Sequence, residues 1–182
     1  MLIKVYTPVG VMVKQMDKGY GVYATKCFNA GDKITDYTSS VWYKSIDGNY
    51  IDSIQMVIDD HIYVTVTREE HGELLPNGET EFTGYDCMTN HSCDANHIFD
   101  ESRHCIIATK SIHIGDQLTA NYNSTNWDEY SNLNIFTCNC GADNCYGVIR
   151  GFKYLSVNEQ QRLINMGGVS GYCLINYFRK SS

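Results

Sequence analysis

Apolar residues recur along this chain in short alternating runs, a pattern that is typical of β-strands rather than of long helices. The clearest run lies at residues 62–67, where Ile62, Val64 and Val66 alternate with more polar neighbours. Further short strands are predicted at residues 9–14, 20–26, 34–38, 105–108 and 117–122. The polar residues 69–83 are predicted to be a loop, because they include a Pro-Asn-Gly turn sequence. The pattern therefore predicts a mainly β fold.

One helix is predicted towards the C-terminal end of the sequence. Ser156 and Glu159 form a capping box, in which the serine side chain binds the backbone N–H three residues later. Leu163 and Met166 continue an apolar face, and Gly167 is a natural stop because glycine readily adopts the conformation that ends a helix. The fold is therefore expected to be many short strands followed by a small helical tail.

Composition and charge limit the classes of function. The 182 residues are 43% hydrophobic and 19% charged, which is typical of a folded globular domain. The net charge of −7 and the lack of a basic stripe argue against direct binding to nucleic acid. No apolar run is long enough to cross a membrane, and the N-terminal segment does not have the pattern of a signal peptide. A soluble, intracellular protein is expected.

Three of the eight cysteines form a tight cluster, Cys138, Cys140 and Cys145. Thiolates at this spacing, in a loop rich in glycine and asparagine, suit a structural zinc ion, which takes four ligands in a tetrahedron. The spacing leaves the fourth ligand open among Cys27, Cys87, Cys93, Cys105 and Cys173. The alternatives for the cluster are free buried thiols or, in an oxidising compartment, a disulfide.

The isolated cysteines have a different expected role. Cys27, Cys105 and Cys173 lie among apolar residues, where a free cysteine behaves as a small hydrophobic side chain. We therefore expect these three side chains to be buried in the core.

A second group of polar residues lies at positions 90–96, which begin with an Asn-His-Ser-Cys sequence. By chemistry alone this stretch is an ordinary turn held by hydrogen bonds from asparagine and aspartate side chains. A Cys-His nucleophile pair is disfavoured, because adjacent residues rarely orient towards each other for that role. Tyr122, one of 14 tyrosines, is by itself most simply interpreted as a core residue.

Four segments, in this order, resemble the motifs of the SET-domain lysine methyltransferases. Residues 18–24 are similar to the G-x-G-V-x-A motif, residues 90–96 to N-H-S-C-x-P-N, residues 114–122 to G-E-E-L-T-x-D-Y, and residues 138–147 to the post-SET C-x-C-x4-C-x-G motif. The resemblance implies a SET fold, in which several small β-sheets surround a knot-like crossing where the Asn-His loop and the tyrosine segment meet. It also implies a SET domain at residues 1–133, a post-SET zinc-binding segment at 134–153 and a C-terminal helical extension at 154–182.

The activity implied by the resemblance is that of a protein-lysine N-methyltransferase, which transfers methyl groups from S-adenosylmethionine to a lysine side-chain amine. Its partner would be a lysine-bearing protein or peptide, either histone or non-histone, and not a nucleic acid or a membrane. Two alternatives stay open at this point. One is a SET-fold enzyme repurposed for a small-molecule substrate, and the other is a catalytically idle, zinc-stabilised interaction module.

The same resemblance assigns roles to individual residues. Tyr122 is implied as the catalytic residue, because its phenol can align the amine and stabilise charge on the transferring methyl group. The implied cofactor-binding residues are Gly19, Tyr20, Gly21, Asn90, His91 and Asn139. Cys93 is implied as the fourth ligand of the structural zinc, beside Cys138, Cys140 and Cys145.

Four positions depart from the family motifs. Ala95 replaces a proline, Asn121 replaces the aspartate before the tyrosine, and Cys87 stands where relatives often carry an arginine. Ala120 occupies a position at which several relatives carry an aromatic residue that limits the number of methyl groups added, so a wide pocket is expected. The change at Cys87 bears on cofactor affinity rather than on the fold.

Overall fold

The computed structural model describes residues 7–36, 42–44, 54–58, 61–65, 72–74, 80–82, 85–100, 102–125, 127–128 and 136–180. Within these residues the strands are β1 (Val11–Gln15), β2 (Tyr20–Ala24), β3 (Lys33–Asp36), β4 (Trp42–Lys44), β5 (Ile54–Ile58), β6 (His61–Thr65), β7 (Gly72–Leu74), β8 (Thr80–Phe82), β9 (Asn90–His91), β10 (His97–Asp100), β11 (Cys105–Ala108), β12 (Gln117–Ala120), β13 (Phe136–Thr137) and β14 (Val148–Ile149). Short 3-10 helices lie at Tyr85–Met88, Tyr122–Ser124 and Phe152–Tyr154, and the α-helices are α1 (Val157–Asn165) and α2 (Gly171–Lys180). The predicted mainly β architecture is confirmed.

The strands assemble into several small sheets rather than one large sheet. The largest described sheet has the order β1-β2-β12-β9, and the others are β10-β11-β3, β4-β6-β5, β7-β8 and β13-β14. Among these described pairs, only β12 and β9 run parallel. A parallel pair needs a long crossover connection, and here the chain passes through β10 and β11 between the two strands.

The parallel pair is short, and a buried side chain supports its backbone. Asn90 lies opposite Thr119 in the register of the two strands. The buried Asn96 donates from Nδ2 to the Gln117 carbonyl at 2.8 Å and accepts the Thr119 N–H on Oδ1 at 2.9 Å. An amide that satisfies two strand groups in this way fixes the loop after β9 against β12.

A buried apolar cluster joins residues from β1, β2, β3, β11 and β12. Its members are Val11, Val22, Ala24, Phe28, Ile34, Tyr85, Ile106, Ala108, Ile112 and Leu118. Of the isolated cysteines, Cys105 and Cys173 are fully buried as predicted, whereas Cys27 is exposed. The prediction for Cys27 is wrong because the next residue, Phe28, turns inwards and occupies the buried position.

Most of the predicted strands are observed, with bounds that shift by a few residues. Residues 105–108 form β11 as predicted, and residues 62–65 of the alternating run lie in β6, whereas residues 66 and 67 are outside the described part of the chain. The prediction of a loop at residues 69–83 is wrong, because β7 and β8 pair as antiparallel strands with Gly72 opposite Phe82. Each strand is three residues long and carries a glutamate, so the hydrophobic pattern conceals both.

The predicted helix is confirmed as α1, and a second helix follows it. Ser156 caps α1 by accepting the Glu159 N–H on Oγ at 3.3 Å, and Gly167 follows its end with φ of 66°. The sequence pattern does not predict α2, because three of its ten residues are aromatic and it begins with glycine. Cys173 of α2 packs with Phe152 in a separate buried cluster. Within the described residues, neither helix has the length and apolar character that crossing a membrane requires.

Leu118 is expected to be a major contributor to the stability of the main sheet. Its side chain is fully buried opposite Val22, so Leu118→Ala removes packing and leaves a cavity. We expect this change to lower the free energy of unfolding by about 2–5 kcal/mol, measured by chemical denaturation. The control is Ile114→Ala, because Ile114 is 67% exposed in the turn before β12. The control should change the same quantity by less than about 0.5 kcal/mol, and equal losses in the two variants would contradict the prediction.

Candidate functional site

The parallel pairing of β9 and β12 places the Asn-His stretch beside the tyrosine segment. His91 lies opposite Ala120, and the Ser92 N–H donates to the Ala120 carbonyl at 3.0 Å. β12 then ends, and Asn121 caps the 3-10 helix that begins with Tyr122. The meeting of these two segments, which the family resemblance implies, is therefore present in the structure.

Tyr122 is held by contacts at both its backbone and its ring. Its N–H donates to His91 Nδ1 at 3.1 Å, and its ring packs against the imidazole with 5.2 Å between the centroids. The Tyr122 hydroxyl donates to the Thr89 carbonyl at 2.6 Å. A phenol has one proton, so the Tyr122 oxygen acts as an acceptor towards any further partner.

The glycine-containing turn before β2 lies against Asn90. Asn90 Nδ2 donates to the Tyr20 carbonyl at 2.9 Å, which joins the first predicted cofactor segment to the second. Gly19 has φ of 78°, a conformation that favours glycine, and an added Cβ would meet nothing within 4 Å. At Gly21 an added Cβ would lie 2.7 Å from Met16 Sδ, so the Met16 side chain would have to shift to make room for it.

Cys93 joins the cysteine cluster, although 45 residues separate it from Cys138 in the sequence. The Sγ atoms of these two residues are 3.7 Å apart, and the Cys93 N–H donates to Cys140 Sγ at 3.4 Å. The sulfur separation is much longer than the roughly 2.05 Å of a disulfide. It matches the separation of about 3.8 Å between two sulfurs that each lie about 2.3 Å from a tetrahedral zinc ion. The donor set therefore fits zinc, and the thiols are free rather than paired in disulfides.

His91 and Cys145 are competing candidates for the fourth position around this centre. Ligand atoms of His91, Cys93, Cys138 and Cys140 lie within 4.8 Å of one another, and Cys145 is not part of this group. Burial lowers the pKa of His91 to about 4, so its ring is neutral at pH 7. Because Nδ1 accepts the Tyr122 N–H, the imidazole proton is on Nε2, which lies 3.3 Å from Cys93 Sγ. This tautomer donates to the sulfur and cannot bind a metal through Nε2.

Cys145 lies at the edge of the cluster and remains within reach of it. Its thiol donates to the Cys138 carbonyl at 3.6 Å, and its Sγ accepts the Gly147 N–H at 3.4 Å. Hydrogen bonds also link its side chain to the thiols of Cys138 and Cys140. The tautomer of His91 therefore favours Cys145 as the fourth donor.

The clustered thiols differ in acidity, because burial and N–H donors act on them unequally. Burial raises the pKa of Cys93, and it raises the pKa of Cys138 to about 11. Burial also disfavours the thiolate of Cys140, but hydrogen bonds from the Cys93 and Ala142 N–H groups and from the Cys138 and Cys145 side chains outweigh it and lower the pKa of Cys140 to about 6. Zinc binds thiolates, so a bound ion would displace protons from Cys93 and Cys138.

Two further positions singled out by the sequence are Asn139 and Cys87. Asn139 lies between Cys138 and Cys140, and its side chain is exposed to solvent. Cys87 lies in the 3-10 helix before β9, and its side chain is outside the described part of the structure. The structure therefore brings the glycine turn, β9, Tyr122 and the cysteine cluster together, with Asn139 at the outside.

Sequence reasoning misses two residues that hold the site together, Asn96 and Tyr146. Asn96 bridges the strand groups beside β9, as described above. The Tyr146 N–H donates to Cys93 Sγ at 3.4 Å, and its hydroxyl accepts from Asn121 Nδ2 at 3.1 Å. Both residues lie inside recognisable motifs, since Asn96 ends the Asn-His motif and Tyr146 follows Cys145. Their partners are distant in the sequence, which is why the motifs alone do not reveal these contacts.

Comparisons with known proteins relate this geometry to a family. A family model described as the SET domain matches residues 19–123. A histone-lysine N-methyltransferase, H3 lysine-36 specific, from Chaetomium globosum is 29% identical over 150 residues, which cover 81% of this chain and 16% of that protein. The histone-lysine N-methyltransferase mes-4 of Caenorhabditis elegans is 26% identical over 157 residues, which cover 72% of this chain and 16% of that protein.

A shorter relative is the methyltransferase flvH of Aspergillus flavus, which is 39% identical over 75 residues, or 40% of each chain. The chain thus spans only 16% of the length of each of the two histone-lysine methyltransferases described above. The matched SET model begins at the glycine turn, includes the β9–β12 pair and ends just after Tyr122. Because this match covers more than half of the 182 residues, the chain belongs to the SET domain family, and its small β-sheets form the SET fold.

Proposed function

We propose that this chain is an S-adenosylmethionine-dependent methyltransferase that transfers methyl groups to a lysine side-chain amine of a protein. The observation that carries the proposal is the position of Tyr122, whose hydroxyl is bound to the Thr89 carbonyl beside Asn90 and His91. The relatives named histone-lysine N-methyltransferase support lysine as the acceptor. A histone or another basic protein is the proposed substrate, because the net charge of −7 favours basic partners.

Tyr122 is the proposed catalytic residue. When bound, S-adenosylmethionine supplies an electrophilic methyl group, and the acceptor must be a neutral amine in line with it. Lysine has a pKa of about 10.4, so its amine must lose a proton, and a buried site favours the neutral form. The Tyr122 oxygen, with its proton directed at Thr89, can accept an N–H of the amine and stabilise positive charge on the methyl group. Positioning and fixed dipoles would supply most of the rate.

The cofactor and the zinc ion have separate proposed residues. Gly19, Tyr20, Gly21, Asn90, His91 and Asn139 are proposed to hold S-adenosylmethionine. The support is the hydrogen bond that joins Asn90 to the Tyr20 carbonyl, and the open space beside Gly19. Cys93, Cys138, Cys140 and Cys145 are proposed to hold a structural zinc ion. The support is the 3.7 Å between the sulfurs of Cys93 and Cys138, which suits two ligands of a tetrahedral zinc ion, and the tautomer of His91.

The proposed division of the chain is a SET domain at residues 1–133, a post-SET segment at 134–153 and a helical extension at 154–182. The cysteine cluster in the second range and the helices α1 and α2 in the third support it. An intracellular location and the lack of direct nucleic-acid binding stay predictions from composition and charge.

A small-molecule acceptor is the second candidate. Its support is the Aspergillus flavus relative, which is named only as a methyltransferase and is 39% identical over 75 residues. Incubation of the protein and radiolabelled S-adenosylmethionine with a peptide library, and separately with a metabolite extract, distinguishes the candidates. Label in lysine side chains supports the leading proposal, and label only in small molecules contradicts it. Cofactor binding without transfer in either arm would indicate a catalytically idle module.

Tyr122→Phe is expected to reduce kcat by about 100-fold, because it removes the oxygen that aligns the amine while retaining the ring. Methyl transfer to the best peptide of the library, followed by mass spectrometry, is the measurement. Tyr154→Phe is the matched control, since that hydroxyl binds Asp128 and lies outside the site. An unchanged kcat in Tyr122→Phe would refute the catalytic role of Tyr122.

Zinc content is expected to distinguish the two possible fourth ligands. Elemental analysis should find about one zinc per chain in the wild type, and clearly less in Cys145→Ser. His91→Asn should retain zinc, because its amide oxygen can still accept the Tyr122 N–H and Nε2 is not a ligand in the observed tautomer. Cys27→Ser is the control, since Cys27 is exposed and outside the cluster. Loss of zinc from His91→Asn with retention in Cys145→Ser would reverse the ligand assignment.

A further inference from the structure

Helix α1 reaches the functional site through a polar group of three residues, Tyr146, Glu159 and Arg162, which we call the Cys93 clamp. Arg162 Nη2 donates to the Cys93 carbonyl at 3.3 Å. The same guanidinium donates to Glu159 Oε1 from Nε at 2.8 Å and from Nη2 at 2.5 Å. The Tyr146 phenol binds the same carboxylate oxygen. A helix outside the matched SET region is therefore connected to the end of the Asn-His-Ser-Cys motif.

The single proton of Tyr146 determines how the Cys93 clamp is connected. The Glu159 carboxylate is the strongest acceptor beside the phenol, so Tyr146 donates to it. The phenol oxygen then acts as an acceptor, and Asn121 Nδ2 donates to it at 3.1 Å. The Cys93 carbonyl oxygen lies 3.3 Å from the Tyr146 oxygen, and it accepts a hydrogen bond from Arg162. The hydrogen bonds therefore run in one direction, from Asn121 through Tyr146 to Glu159.

This direction gives a physical reason for an amide at residue 121. Asn121 stands where the family motif has an aspartate, and it is only 4% exposed. An aspartate has no N–H to donate to Tyr146. Its carboxylate would also compete with that of Glu159 for the one phenolic proton, at a buried site where two nearby negative charges are unfavourable. Asn121 and Glu159 are therefore chemically matched across the boundary between the SET region and helix α1.

Helix α2 adds a second connection to the same segment. Ser170, which precedes α2, donates its N–H to the Ser124 carbonyl at 3.0 Å and its hydroxyl to the Thr125 carbonyl at 3.1 Å. These two carbonyls belong to the end of the 3-10 helix that begins with Tyr122 and to the residue that follows it. The residue before α2 thus binds the tyrosine segment directly, and Glu159 of α1 is linked to it through Tyr146 and Asn121.

We propose that the Cys93 clamp positions the methyl-transfer site, with helix α1 holding the Cys93 loop and the Asn121-Tyr122 segment in one arrangement. The inference rests on the proposed function for its catalytic consequence. Tyr146, Glu159 and Arg162 act through Cys93 and Asn121 and are positioning residues. Loosening the Cys93 clamp changes the position of Tyr122 relative to the proposed cofactor-binding residues Asn90 and His91. Cofactor affinity and turnover should therefore change together.

The test compares Tyr146→Phe, Asn121→Asp, Glu159→Gln and the double variant Asn121→Asp with Glu159→Gln. Asn121→Asp should lower kcat/KM for S-adenosylmethionine by about tenfold, because two carboxylates then face one phenol. Glu159→Gln in the double variant removes one of these carboxylates and should recover most of the loss. A double-mutant cycle measures this coupling, and strictly additive losses would overturn the proposal.

Tyr146→Phe keeps the ring and removes the hydroxyl at the centre of the Cys93 clamp. It should raise KM for S-adenosylmethionine and lower kcat, each by several-fold, and it should speed zinc release to a chelator. A merely structural role would lower the melting temperature and leave KM of the folded fraction unchanged. Gln161→Ala on the same helix is the control, since Gln161 is exposed and bonds only to Asn165 of its own helix among the described contacts. An unchanged KM and an unchanged zinc-release rate in Tyr146→Phe would overturn the proposal.

Failure of the Cys93 clamp and failure of the proposed function give different results. If the wild type transfers no methyl group to any acceptor, the proposed function fails. Calorimetry with S-adenosylmethionine and the zinc-release rate still test the Cys93 clamp in that case, because neither needs turnover. If the wild type is active and the double-mutant cycle shows no coupling, the Cys93 clamp fails while the proposed function stands.

Discussion

The functional site depends on the parallel pairing of two short strands, β9 and β12. A tight turn cannot join a parallel pair, so the chain passes through β10 and β11 before it returns. A two-residue strand has few backbone hydrogen bonds, and the buried amide of Asn96 compensates by bonding to both Gln117 and Thr119. Once this pair has formed, the backbone places Asn90 and Tyr122 on neighbouring segments. The arrangement of the site therefore follows from one strand register and one buried side chain.

His91, in the short strand β9, contacts both the tyrosine segment and the cysteine cluster. Its Nδ1 accepts the backbone N–H of Tyr122, and this bond places the imidazole proton on Nε2, facing Cys93 Sγ. An N–H donor beside a metal-binding thiolate orients the ligand and stabilises its negative charge. The geometry of the cluster and that of Tyr122 are consequently coupled through His91. The proposed zinc ligands therefore lie close to the proposed reaction site.

The sequence predicts those features that a local pattern or a motif determines. Alternation locates β11, and Ser156 locates the start of α1. The spacing of the cluster cysteines indicates a metal centre, but spacing alone leaves the fourth ligand open, and only the family motif points to Cys93. Strands β7 and β8 are missed because a glutamate interrupts the apolar pattern of each. Helix α2 is missed because several of its residues are aromatic and favour strands. The bonds from Asn121 to Tyr146 and from Arg162 to Cys93 join residues 25 and 69 positions apart, which no local pattern encodes.

Glu159 shows how a correct local prediction can conceal a tertiary role. Its place three residues after Ser156 matches a capping box, yet its carboxylate binds Tyr146 and Arg162. A negative charge in the first turn of a helix is still favourable, so α1 accommodates this second use. The Glu159 side chain is 14% exposed and that of Arg162 is 34% exposed, so their ion pair is partly desolvated. Such a pair adds little net stability, but breaking it leaves a partly buried charge without its partner, so it favours one arrangement over the alternatives. The value of the interaction therefore lies in fixing where the Cys93 carbonyl and Asn121 sit, rather than in the free energy of folding.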